Sequence, residues 1–98
     1  MNKMRLYDYV KVIENDTYGQ EIIPPFDTAP LGQVKLAIYP SSTGTQENIL
    51  YANCAYVGFT YNNEIDDKYI IQYGKERLKV MYIQPHSRMK QVFLQRIN

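Results

Sequence analysis

Residues 68–97 read KYIIQYGKERLKVMYIQPHSRMKQVFLQRI, and the class of fold turns on this stretch. Three apolar-rich runs, KYIIQY, RLKVMYIQ and MKQVFLQRI, are separated by GKE and PHSR. Glycine, proline and serine at those breaks favour turns. In the middle run Leu78, Val80 and Tyr82 alternate with Arg77, Lys79 and Met81. That is the period of two expected of a strand with one covered face. Short turns between such runs give an antiparallel meander. No helix of four turns fits anywhere in the chain; NEIDDKYI has room for one turn at most.

Earlier runs add three strands. In LYDYVKVI, Leu6 to Ile13, the residues Tyr7, Tyr9, Lys11 and Ile13 share one side, and Leu6, Asp8, Val10 and Val12 the other. QVKLAIY, Gln33 to Tyr39, is stopped by Pro40. ILYANCAYVGFTY, Ile49 to Tyr61, is the longest run, apolar on both sides. At about 3.3 Å per residue it would extend roughly 40 Å, so a bend or bulge is expected at Gly58. Between the first two strands lie the turn formers Asn15, Asp16 and Gly19, then EIIPPFDTAPLG with three prolines. Those prolines exclude a central strand or helix interior. An ordered surface excursion is expected, packed through Ile22, Ile23, Phe26 and Leu31. The expectation is an all-β fold, one domain over residues 1–98. It is a small six-stranded, mostly antiparallel barrel or sandwich with a long proline-containing first connection. Its expected core includes Val57, Phe59, Ile71, Val80, Tyr82 and Val92.

Composition excludes several functions. Hydrophobic residues make up 45% and charged residues 21%, which is globular rather than disordered. No apolar run approaches the roughly 18 residues that span a membrane, and no apolar segment follows the charged N-terminus. Expression in a cytoplasm without membrane attachment is expected. Cys54 is the only cysteine, so it lacks an internal disulfide partner and is expected to be a buried, inert thiol. The five glycines never cluster into a phosphate loop. His86 is the only histidine. Asp66 and Asp67 are adjacent, so on an extended chain they point apart rather than converge on one substrate. A Cys54–His86 dyad would need an exposed, electropositive thiol, and the neighbours of Cys54 are apolar. The expectation is a protein without catalytic residues, cofactor or metal.

Charge is divided along the chain. The first 67 residues carry four Lys/Arg against nine Asp/Glu, a net −5; the last 31 carry seven against one, a net +6. Folding either sets acidic and basic patches on opposite flanks or interleaves the two signs. In the first case Glu64, Asp66, Asp67, Lys75, Arg77, Lys79, Arg88 and Lys90 are candidate subunit-interface charges. The chain has ten tyrosines and no tryptophan. Tyr69, Tyr73 and Tyr82 lie among Lys68, Lys75, Arg77, Lys79, Arg88 and Lys90, a combination a single-stranded nucleic-acid-binding barrel could use for stacking. Against that alternative, the total charge is only +1.

The order of strands and turns from Tyr56 onward carries a resemblance. Gly58–Thr60, Ile70–Gly74, Leu78–Pro85 and Val92–Leu94, with YDYVKV, DTYGQ and GQVKLAIYPSS before them, are similar to the head-completion, or stopper, proteins of long-tailed bacteriophages and prophages. The proline-rich IIPPFDTAP departs from the group in being longer than its first connection. The resemblance implies a virion structural protein at the head–tail interface, made in the host cytoplasm. It implies a ring of copies, commonly twelve, with the isolated chain able to be a monomer. The ring would sit below the portal and adaptor, above a tail-completion or tail-terminator protein, and around packaged double-stranded DNA. A third possibility within the same group of phage proteins is a tail-completion or minor capsid protein with a similar small β fold. In that group a loop from each subunit can project toward the channel. Here Ser41, Ser42, Thr43, Gly44, Thr45, Gln46, Glu47 and Asn48 best fit it, with no apolar residue among them.

Overall fold

The computed structural model describes residues 3–15, 18–40 and 54–97. The regular elements among them are all strands: β1 (Arg5–Lys11), β2 (Ile13–Asn15), β3 (Gln20–Ile22), β4 (Gly32–Pro40), β5 (Tyr56–Thr60), β6 (Tyr69–Tyr73), β7 (Glu76–His86) and β8 (Met89–Arg96). Six of them close a barrel in the order β1-β4-β5-β8-β7-β6, with β1 also paired to β6 and every pairing antiparallel. Two three-stranded meanders, β1-β4-β5 and β6-β7-β8, are thus joined edge to edge. Closure gives every barrel strand a neighbour on both sides, although β7 beyond Lys79 is paired with β8 alone. β2 and β3 form a separate two-stranded ribbon outside it.

Turn chemistry fixes both hairpins of the second meander. Gly74 has φ +61 in the turn before β7, which glycine adopts without steric cost. Ser87 has φ +59 in the turn before β8, a conformation uncommon for a residue with a side chain.

The interior is filled by alternate residues. Val34, Leu36 and Ile38 come from β4, Ile71 from β6, Leu78 and Val80 from β7, and Val92 and Leu94 from β8. Tyr7 and Tyr9 of β1 pack against this cluster, as do Tyr56, Tyr73 and Ile83. Ile65 joins it from the polar connection between β5 and β6 and is buried. That connection is ordered by side-chain bonds to its own backbone. Asn62 Oδ1 accepts from the Glu64 amide at 2.7 Å, and Asp66 Oδ1 from the Lys68 amide at 2.9 Å. Buried Thr60 donates to the Lys35 carbonyl at 2.7 Å and accepts from the Asn62 amide at 3.0 Å.

Two expectations about facing are corrected. On β5 it is Gly58 and Thr60 that are buried, while Val57 and Phe59 are half-buried on the outside. A Cβ at Gly58 would lie 2.9 Å from Val92 Cγ2, so the space inside belongs to Val92 and its neighbours. Gly58 carries no bulge: its register is continuous with Ile38 on one side and Val92 on the other. The irregularity lies in β7, where Val80 faces Leu94 but Tyr82 faces Phe93. Met81 is the extra residue, and it reverses the alternation beyond it. Tyr82 therefore leaves the core and Ile83 enters it. Of the expected core, Ile71, Val80 and Val92 are buried and Val57, Phe59 and Tyr82 are not. The long strand expected over 49–61 is regular only over Tyr56–Thr60 among the described residues; residues 49–53 lie outside them.

Candidate functional site

The proline-containing connection makes an external strap, described over residues 13–15 and 18–31. Its ribbon pairs Ile13 with Ile22 on one face and Glu14 with Glu21 on the other. Two like charges directly opposite destabilise a strand pair. Here each is met by a barrel-side cation: Lys68 pairs with Glu14, and Lys79 Nζ lies 3.8 Å from Glu21 Oε1. Both faces of the ribbon remain open to solvent, Glu14 and Glu21 at 55% and 42% of their side chains and Ile13 and Ile22 at 52% and 45%. Tyr18, Ile23, Phe26 and Leu31 are exposed as well. The expected packing of the strap through its apolar residues is therefore corrected for Ile22, Ile23 and Leu31, which are exposed, whereas Phe26 keeps one side toward the barrel.

What holds the strap instead is Arg77. This residue is only 6% exposed; its Nη1 donates to the Pro24 carbonyl at 2.6 Å, and its guanidinium lies 5.2 Å from the Phe26 ring centre. Pro24 is itself buried. The chain turns back where the Thr28 amide donates to the Pro25 carbonyl, and rejoins the barrel where Leu31 N–H donates to the Tyr9 carbonyl at 2.9 Å. Between strap and barrel lies a cleft of about 260 Å³. Val10 and Ile70 line its barrel side, Phe26 and Pro30 its strap side, and Asp8, Asp27 and Gln72 add polar groups.

The candidate interface charges are scattered among different tasks. Glu64, Asp67, Lys75 and Arg88 are exposed. Asp66 caps its own turn, as described above. Lys79 donates to the Asp67 carbonyl at 2.8 Å, and Lys90 to the Asn63 carbonyl at 2.9 Å. Basic residues of the second meander thus reach back onto the acidic connection, and the two signs interleave there. Arg77 is not a surface charge at all, because the strap covers it. The candidate channel loop, Ser41 to Asn48, lies outside the described residues.

Two of the three tyrosines named for base stacking pack into or against the core. Tyr69 is 2% exposed and stacks on Tyr9 at 4.4 Å with an interplanar angle of 14°. Burial, with a hydrogen bond to Tyr9 and the nearby Asp66 and Glu64 carboxylates, pushes the Tyr69 phenol up to about 12. Tyr73 sits 5.8 Å from Tyr7 and 5.2 Å from Tyr56, against the core. Neither Tyr69 nor Tyr73 presents a ring face on which a base could stack, so the nucleic-acid alternative keeps only Tyr82 of its three aromatics. At the barrel rim Arg96 Nε lies 3.0 Å from Glu76 Oε1, and Arg96 Nη2 donates to the Tyr56 hydroxyl at 3.3 Å.

Cys54 is buried, and burial pushes its thiol up, away from thiolate chemistry. The His86 ring lies 5.2 Å from the Phe59 ring on the outside of the barrel. Among the described residues no three His, Cys, Asp or Glu side chains gather as a metal site.

The strap was half legible in the sequence. Its prolines marked an excursion, but the reach of Arg77 to Pro24 spans 53 positions and leaves no local pattern.

Together the fold and the site define a small closed antiparallel β-barrel with an external strap that carries exposed apolar side chains. No family model, curated protein or solved structure matches the chain.

Proposed function

We propose that this protein is a structural component of a bacteriophage virion, a head-completion (stopper) subunit of the head-to-tail connector. It acts as a ring below the portal and adaptor, helps to retain packaged DNA and offers the surface on which the tail docks. The strand-and-turn pattern of the chain underlies the reading. The observation that carries it further is the strap. A closed barrel still exposes Ile13, Ile22 and part of Phe26 on an element pinned by Arg77. Apolar groups held outward on an anchored element serve contact with other protein. Partners are further copies of itself, an adaptor or portal above, and a tail-completion or tail-terminator protein below; no chemistry is assigned to it.

The test is made with the phage that encodes the chain. Without the protein, filled heads should lose DNA and remain tailless, and purified virions should carry it at the head–tail junction. Deleting Thr43 to Gln46 should leave the melting temperature of the subunit nearly unchanged yet reproduce the leaking, tailless particles. Infectious, tailed particles at normal yield without the protein would end the connector reading. Monomer binding to single-stranded DNA, with log K falling steeply against log salt, would favour the nucleic-acid alternative.

A further inference from the structure

We propose that the cleft between strap and barrel is a socket for an arginine side chain presented by another protein. The inference goes beyond the connector reading, because it requires no ring, portal or DNA.

Size and walls define the socket. At about 260 Å³ the cleft falls below the roughly 300–1,000 Å³ of sites that enclose a free small molecule. That volume suits one extended side chain whose backbone stays outside. The walls are apolar and come from both elements. Val10 and Ile70, register partners on β1 and β6, form the barrel side, and Phe26 and Pro30 the strap side. Ile70 is 1% exposed and closes the floor, whereas Phe26 at 52% still offers ring surface. Such walls suit methylene groups and a planar cation laid along a ring.

Charge chooses the sign of the occupant. Three ionised side chains line the cleft, Asp8, Asp27 and Arg77, and two carboxylates against one guanidinium leave a net −1. Arg77 is the buried one and is engaged with the strap, through the Pro24 carbonyl and the Phe26 ring. Asp8 and Asp27 are both exposed, and neither forms an ion pair among the described residues. The carboxylates of the adjoining ribbon differ in this respect: Glu14 and Glu21 each have a lysine of this chain. Asp8 accepts from the Gln33 side-chain amide at 3.1 Å, which positions its carboxylate and leaves it further acceptor capacity. An arginine meets both demands, since its planar fork stacks on a ring and pairs with a carboxylate through two parallel bonds; a lysine ammonium does neither. One exposed ion pair with one ring contact is weak, so a lone arginine binds in the millimolar range, and the rest of the partner's surface supplies any further affinity.

The socket is tested first without a partner. n-Butylguanidinium, the arginine side chain without its backbone, is titrated into the isotope-labelled chain to about 10 mM, the regime of so weak a contact. Saturable NMR shifts should centre on the Val10 and Ile70 methyls, the Phe26 ring and the Thr28 and Ala29 amides. Asp8→Asn combined with Asp27→Asn should weaken binding about tenfold, the scale of two exposed ion pairs, with the melting temperature unchanged. n-Butanol keeps the stem without the charge and butyrate reverses the charge; both should bind more weakly than n-butylguanidinium. Equal binding of butanol would make the cleft an apolar pocket that reads no charge, and preferred binding of butyrate would make Arg77 its reader; either overturns the arginine. Shifts that never saturate and spread over every exposed carboxylate would overturn the site. A capped Gly-Gly-Arg-Gly-Gly peptide should bind at least as well as n-butylguanidinium. Exclusion of the peptide would mean a free small molecule and overturn the protein partner. Concentrating the chain alone to about 1 mM reads the last source. Shifts at the same residues that Arg5→Ala with Arg88→Ala removes would mean that a second copy fills the socket, and would overturn an outside protein. Failure of these titrations leaves the connector reading intact, and a protein absent from virions leaves the socket standing.

Discussion

At residue 58 the missing side chain decides which way a strand faces. Gly58 turns its bare Cα inward against Val92 and Leu94 and sends the bulkier Val57 and Phe59 out. Hydropathy alone assigns the larger residues to the core, and so reads β5 inside out. Gly58→Ala should destabilise the protein by about 1–3 kcal/mol in urea unfolding, because the methyl must displace a fully buried valine. Phe59→Ala, at a half-buried outer position, should cost less than Leu94→Ala, for which about 2–5 kcal/mol is expected from the cavity left. Equal losses would restore Phe59 to the core. Tyr69 gives a pH test. Its folded phenol is raised above the ordinary tyrosine value of 10.0 to about 12, so the folded state keeps a proton that the unfolded chain releases first. The stability it contributes is complete below pH 10 and is lost as pH rises through about 12. Tyr69→Phe has no proton to lose, so its stability should fall less steeply above pH 10 than that of the parent chain.

Among the elements, strand existence was legible and strand facing was not always so. Period-two alternation and turn residues located β1, β4, β6, β7 and β8 because those signals are local. An extra residue such as Met81 is invisible to a periodicity, and everything beyond it changes sides. Arg77 illustrates the same limit: on β7 it occupies an outward, polar position, and only the three-dimensional path of the strap buries it. Arg77→Leu removes a charge-assisted hydrogen bond of the kind typically worth about 1.5–3 kcal/mol. The strap should loosen while the barrel persists. Amide exchange over residues 20–31 should accelerate by one to two orders of magnitude, about 1.4 kcal/mol for each factor of ten, with β8 amides unaffected. Arg77→Lys should not restore protection, since a single ammonium lacks the planar fork that both reaches Pro24 and lies by Phe26. Uniform acceleration across the molecule would instead make the strap part of the barrel's own cooperative unit.

For the whole molecule, the division of charge along the chain does not keep the two signs apart where the meanders join. The acidic connection between the two meanders receives Lys79 and Lys90 from the basic one. A one-dimensional charge profile cannot register that antiparallel pairing folds the basic segment back beside the acidic one. The closed order of the barrel also bears on how the protein is made. The seam between β1 and β6 joins Tyr9 to Ile71, and β8 must enter between β5 and β7. At the ribosome β1, β4 and β5 emerge as a half-barrel with two bare edges. Elongation at about 5–20 residues per second leaves that half waiting roughly 2–7 s for residues 61–96. A nascent chain stalled before Met89 would still expose the flanks of β5 and β7, a template for neighbouring chains on the same polysome. Soluble yield should therefore depend on uninterrupted translation of the last strand more than on any earlier segment.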